Sequence, residues 1–417
     1  MQGLAALLLL VAIGVAGCDD EPTPRALSAE LSASGAPGPP LDPDLELGPF
    51  LSRHWRLPVP EQGPVPDGFS EAEASLDPAI CGACHPLQYT QWQTSLHAGA
   101  YSPGFAGQLI EGGLAQPLAL RGCQTCHAPL EEQQPYDAAL AANPGLDPAL
   151  RARGIVCAAC HVRAHRTFGP PRRADLAPLV EPVPHAGFQE RREYLESRFC
   201  AECHQFFDDA GVEGKPIENT YAEWRQSPQA AAGRHCQDCH MPDRAHLWRG
   251  IHDPDMVRSA IDVELVAADL AGETLQASLV LRNRDVGHAF PTYVTPRVFL
   301  SVAQVDAAGD EIADTRAEGT VGREVDFSSN TEVFDTRVLP GESVRVDYAV
   351  VRALAAEALV GRVVVDPDFH YRGVFDLLLG TLSDAQARAQ IADARKRTSE
   401  SSYVLTEIRH PLPRRAP

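Results

Sequence analysis

Five copies of Cys-x-x-Cys-His stand between residues 81 and 240, formed by Cys81, Cys84 and His85; Cys123, Cys126 and His127; Cys157, Cys160 and His161; Cys200, Cys203 and His204; and Cys236, Cys239 and His240. They use ten of the chain's 11 cysteines. Each reads as a c-type haem attachment site, with two thiols to form thioethers to the porphyrin vinyls and an adjacent imidazole to reach the iron. A zinc half-site or a redox pair fits one such motif. It does not fit five that each end in histidine and leave no cysteine over among them. The pattern therefore predicts five covalently attached haem c groups. It also predicts a region whose interior is assembled around macrocycles, with little apolar periodicity between the motifs.

Covalent haem attachment takes place outside the cytoplasm, so the motifs imply export. The N-terminus agrees: residues 4–16 are a short apolar run, too short to span a bilayer, with the shape of a signal h-region. It ends in Val15, Ala16, Gly17 and Cys18, which resembles a lipobox, although no Lys or Arg precedes it. Cys18, the odd cysteine, is the expected lipidation site, and a multiply acylated cysteine anchors more firmly than a single chain. The expected location is periplasmic or at the cell surface, on a membrane-anchored lipoprotein. The formal charge of −20 excludes a nucleic-acid partner, which needs a basic surface. It suits an acidic carrier steered toward basic redox partners.

Four segments follow from composition. Residues 1–17 read as the signal peptide and 18–75 as a Pro-rich tether, with 11 prolines between 21 and 68 against roughly 5% in typical chains. Residues 76–257 hold every haem motif, on helix fragments and loops; 145–153 and 187–198 read as short helices. From 258 to 417 there is no cysteine, and the pattern changes to β-branched alternation at 261–266, 275–281, 297–302, 343–350 and 360–365. Period-2 runs of this kind bounded by Gly, Asp and Pro are strands, and several of them suggest an antiparallel sandwich. Residues 383–397 read as a closing helix with Ser383 as its N-cap. The fold class is α+β: a mostly helical and loop-built multihaem domain, then an antiparallel β-sandwich-like domain with a C-terminal helix.

A degenerate duplication lies inside the haem region. Tyr89, Trp92, Ser95 and His97 precede the second motif, and Tyr221, Trp224, Ser227 and Gln229 precede the fifth. Tyr, Trp and Ser fall at i, i+3 and i+6, roughly one helix face. The position eight past Tyr is His97 in one copy and Gln229 in the other. His97 is therefore a candidate distal ligand, whereas Gln229 is a poor one. His85, His127, His161, His204 and His240 are the proximal ligands. Distal candidates besides His97 are His165, His185, His246, His252 and His288, the last inside the box Gly287, His288, Ala289, Phe290, Pro291 and Thr292. His370 and His410 are read as non-ligands. Bis-histidine iron suits electron transfer and leaves no open position for chemistry.

The first motif with its trailing Tyr, Trp and His97, the fifth motif with Met241 and Pro242, and the 287–292 box together resemble bacterial multihaem cytochromes with a cytochrome c-552/4-type domain. That resemblance implies closely stacked haems in an extracytoplasmic electron carrier. The partners it implies are redox proteins, either other cytochromes or quinol-linked complexes, with the membrane reached through Cys18. A few relatives are oxidoreductases of small nitrogen or sulfur species, so the alternative is chemistry at one haem that lacks a protein sixth ligand. No Cys-x-x-Cys-Lys occurs, so the lysine-ligated haem of pentahaem nitrite reductases is absent.

Overall fold

The computed structural model of the protein describes residues 48–111, 115–173, 184–206 and 211–414. The signal segment 1–17, the lipidation candidate Cys18 and the tether up to residue 47 lie outside the described residues. The layout is α+β. Among the described residues no helix is long and apolar enough to cross a membrane.

Two units interleave along the chain. One gathers the described part of Met1–Pro216 with His235–Trp248 and Leu378–Ala394; the other gathers Ile217–Arg234, Arg249–Leu377 and Arg395–Pro417. The sequence draws one boundary at 257/258, whereas in the structure the second repeat copy travels with the strands and part of the C-terminal helices with the haem motifs. Side chains show why for the helices. Ala387 and Ile391 are fully buried, and Ile391 lies 3.0 Å from where a Cβ on Gly107 would stand. The Glu111 carboxylate accepts from the amides of Ser383 and Asp384 at 2.8 Å each.

The first unit is made of short helices. Many open on proline, at Pro78, Pro86, Pro103, Pro117 and Pro148. Proline suits that position because its fixed φ is helical and an N–H there would have no helical acceptor. Side chains of Asp77, Ser102 and Asp147 cap three of these helices. The apolar residues form separate small clusters, such as Leu51, Trp55, Phe168, Tyr194 and Phe199, or Val59, Leu130, Leu150 and Val156. This is the packing expected where side chains do not build the core alone. Residues 48–75, which the sequence assigns to the tether, contribute the helix Pro49–His54 with Leu51 and His54 buried. Of the two helices expected before haem motifs, the first is the single turn Pro148–Arg151. The second is reduced to a 3-10 turn at Arg192–Leu195, followed by the helix Arg198–His204 that carries the fourth motif.

The second unit holds the strands. They are β1 (Ile261–Asp269), β2 (Thr274–Asn283), β3 (Arg297–Val305), β4 (Ala317–Val321), β5 (Arg323–Asp326), β6 (Thr331–Asp335), β7 (Ser343–Val351), β8 (Ala358–Asp366) and β9 (Tyr403–Pro411). One sheet runs β7-β2-β1 and another β9-β8-β3-β4, with β5-β6 as a separate hairpin. The pairings within each are antiparallel. All five strand segments read from sequence are present. The alternating residues Leu275, Ala277, Leu279 and Leu281 of β2 meet Val298, Leu300, Val302, Val363 and Val365 of the other sheet in one core. The sheets approach so closely at Gly361 that a Cβ there would sit 3.0 Å from Leu279. Two helices follow β8. Phe369–Thr381 was not legible in the sequence, and Ala385–Ser399 starts one residue later than read. Its cap is Asp384, whose carboxylate accepts from the Ala387 amide at 2.8 Å, because the Ser383 hydroxyl is committed to Glu111.

Candidate haem centres

Each motif ends a short helix or fills one. The helices are Pro78–Cys84 with His85 as C-cap, Pro117–His127, Cys157–His161, Arg198–His204 and Cys236–His240. On a helix, residues three and four apart share a face, so both thiols and the imidazole of each motif project the same way. The ten motif cysteines form no disulfide among the described residues. Among the described residues no three His, Cys, Asp or Glu side chains converge to hold a bare metal ion.

The thiols also show which motifs adjoin. Cys81 hydrogen-bonds with Cys157, Cys200 with Cys236, and Cys203 with Cys126. Cys160 is close enough to raise both Cys200 and Cys203 electrostatically. The first motif is therefore next to the third, the third to the fourth, and the fourth to the second and fifth. All five form one contiguous cluster.

The histidines sort by which ring nitrogen is engaged. A backbone carbonyl accepts from Nδ1 of His127 (Ala100, 2.7 Å), His161 (Phe168, 2.8 Å), His185 (Gly187, 2.8 Å), His246 (Arg244, 3.0 Å) and His288 (Ala289, 2.9 Å). Such a bond fixes the tautomer, with Nδ1 carrying the proton and Nε2 the lone pair that a metal would take. The opposite holds for His54, His165, His252 and His410, whose Nε2 meets Cys160 O, Gly63 O, the Asp368 carboxylate and Leu265 O. His165 sits in a tight hairpin turn with Ala164, both at positive φ, between the strands Val162–Arg163 and Arg166–Gly169. This turn is the two-residue kind that favours positive φ at both positions. It aims the imidazole at the 62–69 segment. His252 and His288 belong to the second unit.

Two imidazole pairs have a telling separation. The ring centres of His97 and His204 are 6.4 Å apart, and those of His161 and His246 are 6.2 Å apart. Two imidazoles that would share one metal ion need their ring centres about 6.4 Å apart, from a metal–nitrogen bond of about 2 Å and about 1.2 Å from nitrogen to ring centre on each side. Burial, with His204, His240 and His246 nearby, holds His97 down to about 3. It therefore stays neutral, with a lone pair to offer. His85 is lowered by burial and by the neighbouring His185.

The two repeat copies share a local device. The indole of Trp92 donates to Ile155 O at 2.8 Å and that of Trp224 to Arg234 O at 2.9 Å. The hydroxyls of Ser95 and Ser227 accept from the amides of Ala98 and Ala230. The helices stop at Gln93 and Arg225, so Tyr, Trp and Ser do not lie on one continuous helix; the serine instead opens a new turn. Beyond that turn the copies diverge. His97 enters the imidazole cluster, while Gln229 donates to Asp285 at 3.4 Å. Within the second unit, Glu223 of the repeat accepts from the Ala289 amide at 3.0 Å and pairs with Arg337 at 3.0 Å. The 287–292 box thus receives the repeat helix.

Sequence reading missed the aromatic supports. Phe105 stacks on His127 at 4.0 Å, and Tyr194 on His161 at 5.4 Å. The two repeat copies also share the glutamine that follows the first cysteine of the second and fifth motifs. Both are buried; Gln124 donates to Leu120 O, and Gln237 to Tyr194 O and Glu196 O.

Comparison with known proteins gives two matches. Residues 80–162 match the family described as cytochrome c554 and c-prime. The fold matches the crystal structure of a penta-heme cytochrome c552 from Thermochromatium tepidum at 19% identity and a TM-score of 0.57, over 82% of this chain and 100% of that one. No curated protein matches. The family match spans the first three motifs, and the structural match is one of fold.

Proposed function

We propose that the protein is an exported pentahaem c-type cytochrome that relays electrons between membrane-associated donors and an extracytoplasmic acceptor. The observation carrying this reading is the adjacency of all five motifs, through three thiol–thiol hydrogen bonds and, between the third and fourth motifs, the nearness of Cys160 to Cys200 and Cys203. Haem c at these positions supplies one-electron chemistry at iron. The chain's own residues do the rest. Ten cysteines would attach the groups, and His85, His127, His161, His204 and His240 would supply the motif imidazoles. His97 and His246, beside the imidazoles of the fourth and third motifs, would supply second ligands there. The carbonyls of Ala100, Phe168 and Arg244 hold the imidazoles in one orientation. Lipidation at Cys18 anchors the carrier to a membrane, and its redox partners are other cytochromes or quinol-linked complexes.

Purified holoprotein tests this directly. A pyridine haemochrome and an intact mass corresponding to five haems, with iron low-spin in the ferric state, are expected. Fewer than five haems, or none, would overturn the count and the relay with it. Gln229 favours a second reading, since the repeat position that supplies His97 in one copy turns to Asp285 in the other. On that reading one haem handles a small nitrogen or sulfur species, and nitric oxide would bind rapidly to one-fifth of the iron.

A further inference from the structure

We propose that Trp248 is a positioning residue shared by two iron sites, holding the distal imidazoles of the third and fourth motifs against a single indole. The inference rests on the ligand reading above, in which His246 faces His161 and His97 faces His204. The indole centre lies 4.6 Å from the His97 ring at an interplanar angle of 57°, and 5.2 Å from the His246 ring at 85°. These are the tilted and edge-on contacts that aromatic rings prefer. One side chain therefore fixes the rotation of two imidazoles that belong to different irons.

The chain accepts backbone strain to put it there. Trp248 has φ of 44°, in the left-handed region where a bulky residue is a genuine outlier. The segment leading to it is also held in place. Asp243 and Arg244 take positive φ, the His246 amide donates to Gln91 at 2.9 Å, and its Nδ1 is fixed on Arg244 O. Six and eight residues past the last motif histidine, the chain thus delivers an imidazole and an indole to two other motifs. An ordinary core tryptophan needs neither a strained backbone nor two ligand rings as its neighbours.

The axial imidazole's orientation about the iron–nitrogen bond sets the electron paramagnetic resonance signature and contributes to the potential of low-spin haem, alongside its hydrogen bonds. Trp248→Leu and the milder Trp248→Phe in the holoprotein should shift the resonance g-values and midpoint potentials of two haems and leave the others in place. The leucine variant should have the larger effect. Unchanged spectra, or an equal drift of all haems, would overturn the inference. His97→Ala and His246→Ala separate it from its premise. If each turns one iron high-spin while Trp248→Leu shifts nothing, only the role of the tryptophan fails. If both leave every iron low-spin, the ligand reading fails first.

Discussion

Gly154→Ala probes how the backbone delivers His97. Gly154 has φ of +66°, and a Cβ there would stand 2.7 Å from the His97 carbonyl oxygen, 3.0 Å from the Ala100 amide nitrogen and 3.2 Å from Ala98 O. All three obstacles are backbone atoms, so no flexible side chain can swing aside. The next residue is tied to the same carbonyl, since the Ile155 amide donates to His97 O at 3.0 Å. The left-handed conformation alone costs an alanine about 1–2 kcal/mol. Forcing a methyl into a filled space adds about 1–3 kcal/mol, and loosening the Ile155 bond about 1 kcal/mol. The expected total is about 3–6 kcal/mol. Gly233 is the control: its φ is +73°, but nothing lies within 4 Å of its Cβ position, so Gly233→Ala should cost only about 1–2 kcal/mol. Denaturant midpoints of the holoproteins measure the difference. The optical spectrum reads its consequence, because displacing the 97–100 turn should convert one ferric iron to high spin in Gly154→Ala alone. If the two alanine variants are equally stable and both remain fully low-spin, the argument from close approach is wrong.

Further outcomes follow from the same geometry. His246→Ala should produce one high-spin iron, whereas His165→Ala should leave the spectrum intact, because the His165 Nε2 is already engaged by Gly63 O; a high-spin band in the second variant refutes the sorting by ring nitrogen. Arg337→Ala removes the guanidinium shared by two carboxylates, those of Glu223 and Asp335, which pair with it at 3.0 and 2.9 Å. It should destabilise by about 3–5 kcal/mol, as removing one partner of a buried pair does, and by more than Glu223→Gln, which leaves Asp335 in place; the reverse order in urea unfolding contradicts this. Asp326 is held down to about 2, first by the Ser328 and then by the Ser329 hydroxyl. A depressed folded-state value means its support is complete above about pH 3.8 and fades as pH falls toward 2, so Asp326→Ala should flatten that part of the acid unfolding curve, and an unchanged curve counts against it.

The covalent chemistry was legible in the sequence because it is local. Cys-x-x-Cys-His is a five-residue pattern on one helix turn, and nothing distant is needed to read it. The strands of the second unit were legible for a similar reason, since period-2 alternation in segments such as 275–281 records burial on one face. Ligand pairing is different. His97 meets His204, and His161 meets His246, across long stretches of chain, and which ring nitrogen is free depends on carbonyls brought in by folding. That is why His165, in sequence as good a candidate as His246, turns to Gly63 instead. The unit boundary escaped the sequence as well, because residues 217–234 and 378–394 pack by side-chain fit, on the 287–292 box and against Gly107 respectively, regardless of their place along the chain. Local chemistry fixed where haem attaches, and only the tertiary contacts decided which imidazoles face one another.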